Sequence, residues 1–115
     1  MEDETIAVVR LGALAHPARL RAFRLLVGAG PTGVASGEIA ATLSVPPTAM
    51  SFHLSALERS GLVFARREGR HIYYAVQFDA VRGLLAFLTE DCCGGRPELC
   101  GGPKKKVALR MEAEA

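Results

Sequence analysis

The chain has 115 residues, 50% of them hydrophobic and 23% charged, and its formal net charge is +2. This composition is typical of one globular domain with a modest core, and it excludes a disordered or fibrous protein. No apolar run approaches the roughly 18 residues that a membrane span needs. The acidic start, MEDETIAVVRL, is unlike a secretory signal. We therefore expect a soluble cytoplasmic protein without a membrane partner.

The positive charge is concentrated in three places. Three arginines lie between residues 19 and 24, three more lie between residues 66 and 70, and a lysine run spans residues 104–106. Local clusters of this kind can contact phosphate although the net charge is small, and solvated surface charge is the alternative. For the lysine run, the default explanation is solubility of a C-terminal tail.

Two helices are predicted at the start of the chain. Apolar residues at helical spacing predict the first over residues 5–15. The His16-Pro17 pair ends it, because a residue before proline disfavours helical geometry and proline suits the first turn of a new helix. The second helix is then predicted from Pro17 to about residue 27. The apolar faces are formed by Ile6, Val9, Ala13 and Leu14 in the first helix and by Leu20, Phe23, Leu26 and Val27 in the second.

The next stretch, residues 36–62, predicts two short helices separated by a tight break. Ser36 is a candidate N-cap for a helix that ends at residue 43, and Pro46-Pro47 forms the turn. The second helix is predicted over residues 47–60, with Gly61 as the residue that ends it. Its apolar stripe needs a core to pack against and consists of Met50, Leu54 and Leu57.

The opposite face of this second helix is the candidate for DNA recognition, because the second helix of a helix-turn-helix lies in the major groove. We predict polar contacts from Thr48 and Ser51 and an apolar contact from Phe52 to a thymine methyl group or a sugar. The alternative for Phe52 is burial against the wing or a neighbouring helix. His53 lies on the flank of the apolar stripe, where it could orient the helix or reach a phosphate.

Residues 62–67 and 71–76 alternate in the manner of two strands, and Glu68-Gly69 is the predicted turn of a hairpin. A hairpin that directly follows a helix-turn-helix is a wing. Long cationic side chains near its tip could reach the phosphate backbone or the minor groove, and these are Arg66, Arg67 and Arg70.

The last helix is predicted over residues 78–91 from an apolar stripe of Val81, Leu84, Leu85 and Leu88. Further apolar residues lie off this stripe, so the helix has more apolar surface than its own domain can cover. We therefore expect a two-fold homodimer built from the first and last helices.

The motifs HPARL, HL-x-x-L-x-x-x-GLV and REGR-x-x-YY occur in the order expected of one known family. Over about residues 5–93, the chain resembles the ArsR (ArsR/SmtB) family of winged-helix, metal- and metalloid-responsive repressors. The resemblance implies a mainly α fold of about five helices with a β-hairpin wing, and a homodimer that binds a partly palindromic operator. Residues 1–93 would form the DNA-binding and dimerisation domain, and residues 94–115 an inducer loop and a mobile tail.

The chain departs from the family pattern at two places. Members that sense arsenite through the helix-turn-helix carry cysteines in its first helix, whereas residues 34–41 contain none. Pro47 also stands where a glutamine that contacts a base is common. The chain instead resembles those arsenite-sensing members whose cysteines follow the last helix.

All three cysteines lie within the segment DCCGGRPELCG, as Cys92, Cys93 and Cys100. Structural disulfides are not expected in a reducing compartment, and thiolates favour soft ions. Three sulfurs without an obvious fourth ligand suit As(III) or Sb(III) better than tetrahedral zinc. The alternative ligands are Pb(II), Cd(II) or Zn(II), or an organoarsenical bound by two thiols. The thiols could instead respond to oxidation, or they could be reactive toward oxidants without any sensing role.

The sequence does not indicate an enzyme, because it has neither an oriented Cys-His-acid arrangement nor a phosphate-binding loop. No organic cofactor is expected. The leading hypothesis is a repressor of an arsenic-resistance operon that leaves its operator DNA when As(III) binds the three cysteines.

Overall fold

The computed structural model describes residues 3–90, and the fold there is a winged helix-turn-helix, as predicted. Among these residues, none of the helices is both long enough and apolar enough to cross a membrane. In chain order, the elements are α1 (Glu4–Leu14), α2 (Pro17–Ala29), a 3-10 turn (Gly30–Thr32), β1 (Val34–Ala35), α3 (Ser36–Leu43), α4 (Pro47–Arg59), β2 (Val63–Glu68), β3 (His71–Val76) and α5 (Phe78–Glu90).

The boundary between α1 and α2 follows from local chemistry. His16 is extended, with φ −155° and ψ 130°, as expected before a proline. The Nδ1 atom of His16 accepts a hydrogen bond from the backbone N–H of Ala18 at 3.2 Å, so the imidazole caps α2. The second helix extends to Ala29, two residues beyond its predicted end.

The break between α3 and α4 has two special residues. Ser44 lies in the left-handed region with φ 57°, and it is the one non-glycine residue of the described chain with positive φ. Its neighbour Val45 donates a backbone hydrogen bond to the Ala40 oxygen at 3.0 Å, which closes the end of α3. Pro47 then occupies the first turn of α4.

The end of α4 lies where it was predicted, whereas the cap at the start of α3 differs from the prediction. Gly61 ends α4 as predicted, with φ 87° and its N–H bonded to the Glu58 oxygen at 3.0 Å. The N-cap prediction at Ser36 was wrong, because Ala35 is the N-cap residue of α3 and makes no side-chain capping bond. The chain enters α3 from strand β1, so strand pairing fixes its start without a polar cap.

The three strands form an antiparallel sheet in the order β1-β3-β2. The pairing of β2 with β3 runs from Val63 opposite Val76 to Glu68 opposite His71. The loop of the hairpin is therefore Gly69 and Arg70, one residue later than the predicted turn. Gly69 has φ 63°, which explains why a glycine begins this two-residue loop.

Strand β1 was not predicted from the sequence. It is only two residues long, and it pairs Val34 with Tyr74 and Ala35 with Tyr73. Gly33 precedes it with φ 78°, and a Cβ atom there would lie 2.6 Å from the carbonyl oxygen of Tyr74. This close backbone approach requires a glycine.

The core confirms the predicted stripe of α4. Six large side chains of the core are 0% exposed, namely Leu26, Ile39, Met50, Leu54, Leu57 and Leu62. The predicted face of α2 was partly wrong, because Leu20 and Val27 are exposed while Ala18 and Ala22 are buried. Small residues on this side allow α2 to approach the other helices closely.

Helices α1 and α5 leave large apolar side chains exposed. On α5, Leu84 is buried, whereas Leu85 and Leu88 are 54% and 39% exposed. On α1, the buried residues are Ala7 and Ala13, and the predicted face was partly wrong because Ile6 and Val9 are exposed. The side chains left uncovered on the two helices are Ile6, Val8, Val9, Leu11, Leu85 and Leu88.

Candidate nucleic-acid interface

The outward face of α4 is uncovered by the rest of the described chain. Thr48, Ser51 and Phe52 are exposed, and together with Pro47 and Ser55 they line one shallow depression. The buried stripe lies on the other side of the same helix, so core packing fixes which side chains point outward. Short hydroxyls and one flat ring form a face that can approach another surface closely.

Phe52 is 64% exposed, which excludes burial against the wing or a neighbouring helix of the same described chain. Its ring meets the ring of His53 edge to face, with 6.4 Å between centroids and 67° between planes. Phe52 therefore offers an apolar ring on the candidate DNA-binding face. Its contact with a thymine methyl group or a sugar stays a prediction.

His53 faces the N-terminal end of α2. Its Nδ1 atom accepts a hydrogen bond from Nε of Arg19 at 3.2 Å, and its ring lies 4.4 Å from the His16 ring, centroid to centroid. Burial lowers the pKa of His53, and the nearby charges of His16 and Arg19 lower this pKa further. These contacts join α4 to the start of α2, and a role of His53 in orienting α4 stays a prediction. Sequence periodicity could not reveal them, because the two helices are far apart along the chain.

Arg66 is held within the wing. Its Nε donates to Oε2 of Glu68 at 2.7 Å, and an NH2 group donates to the backbone oxygen of Thr32 at 3.1 Å. Its guanidinium carbon also lies 5.1 Å from the centre of the Tyr73 ring. Arg66 therefore joins β2 to β3 and to the 3-10 turn.

The three wing arginines do not form one cluster. Successive side chains of a strand point to opposite faces, so Arg67 lies on the face opposite to that of Arg66. Arg70 is exposed in the two-residue loop. Arg67 and Arg70 are exposed, whereas Arg66 is partly buried and has contacts of its own. Phosphate contacts by all three remain predictions.

Tyr74 is the buried residue that joins the wing to the end of α4. Burial raises the pKa of its phenol, the negative charge of Glu58 raises this pKa further, and the positive charge of Arg67 lowers it. Tyr74 is only 5% exposed. The electrostatic contacts therefore bring Glu58 of α4 and Arg67 of β2 near one buried ring of β3.

The predicted thiol site lies outside the described residues, since Cys92, Cys93 and Cys100 all follow Glu90. Nothing in residues 3–90 replaces it, because that part of the chain holds no group of three or more His, Cys, Asp or Glu side chains able to bind a metal ion. The His16 and His53 pair is also a poor cation site, because Arg19 places a permanent positive charge beside it.

The sequence is similar to a helix-turn-helix family and to two proteins of known name. The family described as "Helix-turn-helix domain" matches residues 14–63. Nodulation protein NolR from Rhizobium meliloti is 37% identical over 89 residues, which cover 77% of this chain and 70% of NolR. Transcriptional activator HlyU from Vibrio cholerae is 31% identical over 87 residues, which cover 76% of this chain and 78% of HlyU.

Solved structures share the same architecture. An ArsR-like transcriptional regulator from Rhodococcus sp. RHA1 matches with a TM-score of 0.70 over 83% of this chain and 87% of its own, at 23% identity. A possible transcriptional regulator for arsenical resistance matches at 0.60 over 69% and 79%, at 31% identity. A homodimeric winged helix-turn-helix domain from Mycobacterium bovis matches at 0.58 over 79% and 88%, at 34% identity.

Proposed function

Because this chain belongs to the winged helix-turn-helix family of transcriptional regulators, with an ArsR-like fold, we propose that it is a homodimeric repressor of an arsenic-resistance operon. Its relatives are DNA-binding regulators rather than enzymes, and so is this protein. The relatives include an activator and a repressor. Repression and the arsenic response are therefore the parts of the proposal that need a direct test.

The uncovered outward face of α4 is the observation that carries the DNA-binding part of the proposal. In the major groove, Thr48 and Ser51 would make polar contacts with base edges or phosphates. Phe52 would lie against a thymine methyl group or a sugar. On the wing, Arg67 and Arg70 would contact the backbone, while Arg66 would act mainly by holding the wing in place.

A homodimer would cover the exposed apolar side chains of α1 and α5. Helix-turn-helix dimers bind two half-sites about 34–36 Å apart, so two copies of α4 are needed to read a palindromic operator. The similar Mycobacterium bovis domain is described as homodimeric. Burial of Leu85 and Leu88 by a second copy would also remove the largest apolar surface of α5 from water.

The proposed inducer is As(III) bound by the thiols of Cys92, Cys93 and Cys100. Arsenous acid would form one As–S bond with each thiol, and each bond would release one water molecule. The support is the sequence, which places three cysteines just beyond α5, and the likeness to a possible regulator for arsenical resistance. Thiolates also favour soft, thiophilic centres.

The position of the cysteines suggests how binding would reach the DNA. Cys92 follows the end of α5 closely in sequence, and α5 is one of the two proposed dimer helices. As(III) would reorganise the end of this helix and change the spacing of the two α4 helices. By linkage, As(III) and DNA would weaken each other's binding by the same factor, typically about 1–3 kcal/mol.

A titration tests this proposal. An operator duplex is first selected from random-sequence DNA, labelled with a fluorophore, bound by the protein, and titrated with As(III), Sb(III), Cd(II), Pb(II) and Zn(II). Release by As(III) at the lowest concentration is expected, together with loss of this response in the Cys92→Ser, Cys93→Ser and Cys100→Ser variants. An As(III) response that survives all three substitutions would refute the thiol site.

Thiol oxidation is the second candidate, and the adjacent Cys92 and Cys93 favour it because neighbouring thiols can react in sequence with an oxidant. Peroxide would take two electrons from a thiolate to form a sulfenic acid. Release of the operator by peroxide, reversed by dithiothreitol and without any metalloid response, would select this candidate over the first.

A further inference from the structure

Three nitrogen-bearing side chains from two helices meet at the flank of α4. His16 and Arg19 come from the start of α2, and His53 comes from the middle of α4. The two imidazole rings are 4.4 Å apart, and Arg19 donates to His53 at 3.2 Å. We refer to His16, Arg19 and His53 as the α2–α4 cluster. Within this cluster, His53 directly follows Phe52, which is on the proposed DNA-binding face.

The hydrogen bonds determine which ring nitrogens carry protons. Nδ1 of His16 accepts from a backbone N–H, and Nδ1 of His53 accepts from Arg19, so both Nδ1 atoms act as acceptors in this arrangement. With Nδ1 as the acceptor, the N–H donor of each ring is Nε2. Arg19 uses Nε for His53, and within residues 3–90 no second acceptor takes a hydrogen bond from it. Two Nε2–H groups and the terminal guanidinium groups thus remain as donors.

These donors define the chemistry of a ligand. All of them are N–H groups, one of them carries a permanent positive charge, and both Nδ1 acceptors are already occupied. A cation is disfavoured by Arg19. A group with several acceptor oxygens and a negative charge fits, because charge-assisted hydrogen bonds to guanidinium are among the strongest available in proteins.

We propose that the α2–α4 cluster binds one backbone phosphate of the DNA duplex beside the groove occupied by α4. The inference rests on the proposed function as a DNA-binding regulator, and it adds His16 and Arg19 to the binding surface. Because phosphate contacts carry no sequence information, the cluster would fix the register of α4 on the duplex and leave base preference to the outward face.

Substitutions can separate the phosphate contact from the structural role of the cluster. Arg19→Gln removes the charge but keeps an amide that can donate to His53. Arg19→Lys keeps the charge but lacks the planar Nε–H group. His16→Asn keeps an N-cap acceptor for α2 and removes the imidazole donor. Arg24→Gln is the matched control, since Arg24 is exposed on the same helix, about 140° around it from Arg19.

The measurement is the affinity of each variant for the selected operator duplex at a series of salt concentrations. Loss of one phosphate contact lowers the magnitude of the slope of log K against log salt by about 0.9, and a substitution in the homodimer removes two such contacts, so the total reduction is about 1.8. We expect this reduction in Arg19→Gln, a normal slope in Arg19→Lys and in Arg24→Gln, and weaker binding in His16→Asn. Circular dichroism and thermal unfolding check that each variant is folded.

The outcomes distinguish the two proposals. If the wild type binds the duplex, and Arg19→Gln and His16→Asn both keep its affinity and its salt slope, the phosphate site is wrong and the proposed function stands. Lower affinity of Arg19→Gln with an unchanged slope also overturns the phosphate site, because the cluster would then act only by orienting α4. A wild-type protein that binds no duplex overturns the proposed function and the phosphate site together.

Discussion

Replacement of Phe52 by alanine should damage DNA binding far more than folding. Phe52 is 64% exposed, so only about a third of its surface is buried in the folded chain. Complete burial of a phenylalanine stabilises a protein by about 1.5–3 kcal/mol, so a third of that value is about 0.5–1 kcal/mol. The matched core variant is Leu57→Ala, because Leu57 lies on the same helix and is 0% exposed. Loss of a buried leucine costs about 2–5 kcal/mol.

The assay has two arms. Urea denaturation at one fixed protein concentration measures the free energy of unfolding of Phe52→Ala, Leu57→Ala and the wild type. Selection of operator sequences from random duplexes then compares Phe52→Ala with the wild type, and we expect the variant to lose its preference for thymine at one position of each half-site. An unchanged operator preference, combined with a stability loss as large as that of Leu57→Ala, would refute this reasoning.

Three further predictions follow from the backbone and from one titrating group. Ser44→Gly should stabilise the protein by about 0.5–1 kcal/mol in urea denaturation, because relief of left-handed strain, about 1–2 kcal/mol, exceeds the entropy cost of glycine, about 0.5–1 kcal/mol. In the same assay, Gly33→Ala should destabilise the protein by about 2–4 kcal/mol, because left-handed strain adds to a clash with a β3 carbonyl. A variant that unfolds at the same urea concentration as the wild type would contradict the close backbone approach at Gly33. The lowered pKa of His53, caused by burial and then by His16 and Arg19, means that the unfolded chain binds the proton more tightly. The contribution of His53 to the free energy of unfolding is therefore complete above pH 6.5, the ordinary pKa, and is lost as the pH falls below it. In thermal unfolding, the wild type should lose more stability between pH 7.5 and pH 5.5 than His53→Gln does. Equal losses of stability in the two proteins would contradict this prediction.

Helical periodicity was sufficient to predict α4 from the sequence. Met50, Leu54 and Leu57 were predicted as a buried stripe, and all three are completely buried. Burial of one side of a short helix also determines its opposite side, so the outward positions of Thr48, Ser51 and Phe52 followed from the same pattern. Gly61 was predictable because few other residues tolerate its positive φ.

Periodicity failed where small residues or distant partners decide the packing. In α2, Ala18 and Ala22 face the core while Leu20 is exposed, because close helix approach favours small side chains over large apolar ones. Strand β1 has only two residues and depends on pairing with β3, which no local pattern reveals. The bond between Arg19 and His53 likewise joins residues far apart in the chain.

The attachment of the wing affects how the protein can move. Strand β1 pairs with β3 at the point where the chain enters α3, and Arg66 links β2 to the backbone oxygen of Thr32. The wing is thus joined to the helix-turn-helix by backbone pairing as well as by its own covalent connection. In hydrogen exchange, the amides of β3 should open together with those of α3 rather than in an independent hairpin unit. Regulation would then turn each protomer as one rigid body, and the wing would keep its fold whether or not the protein is on DNA.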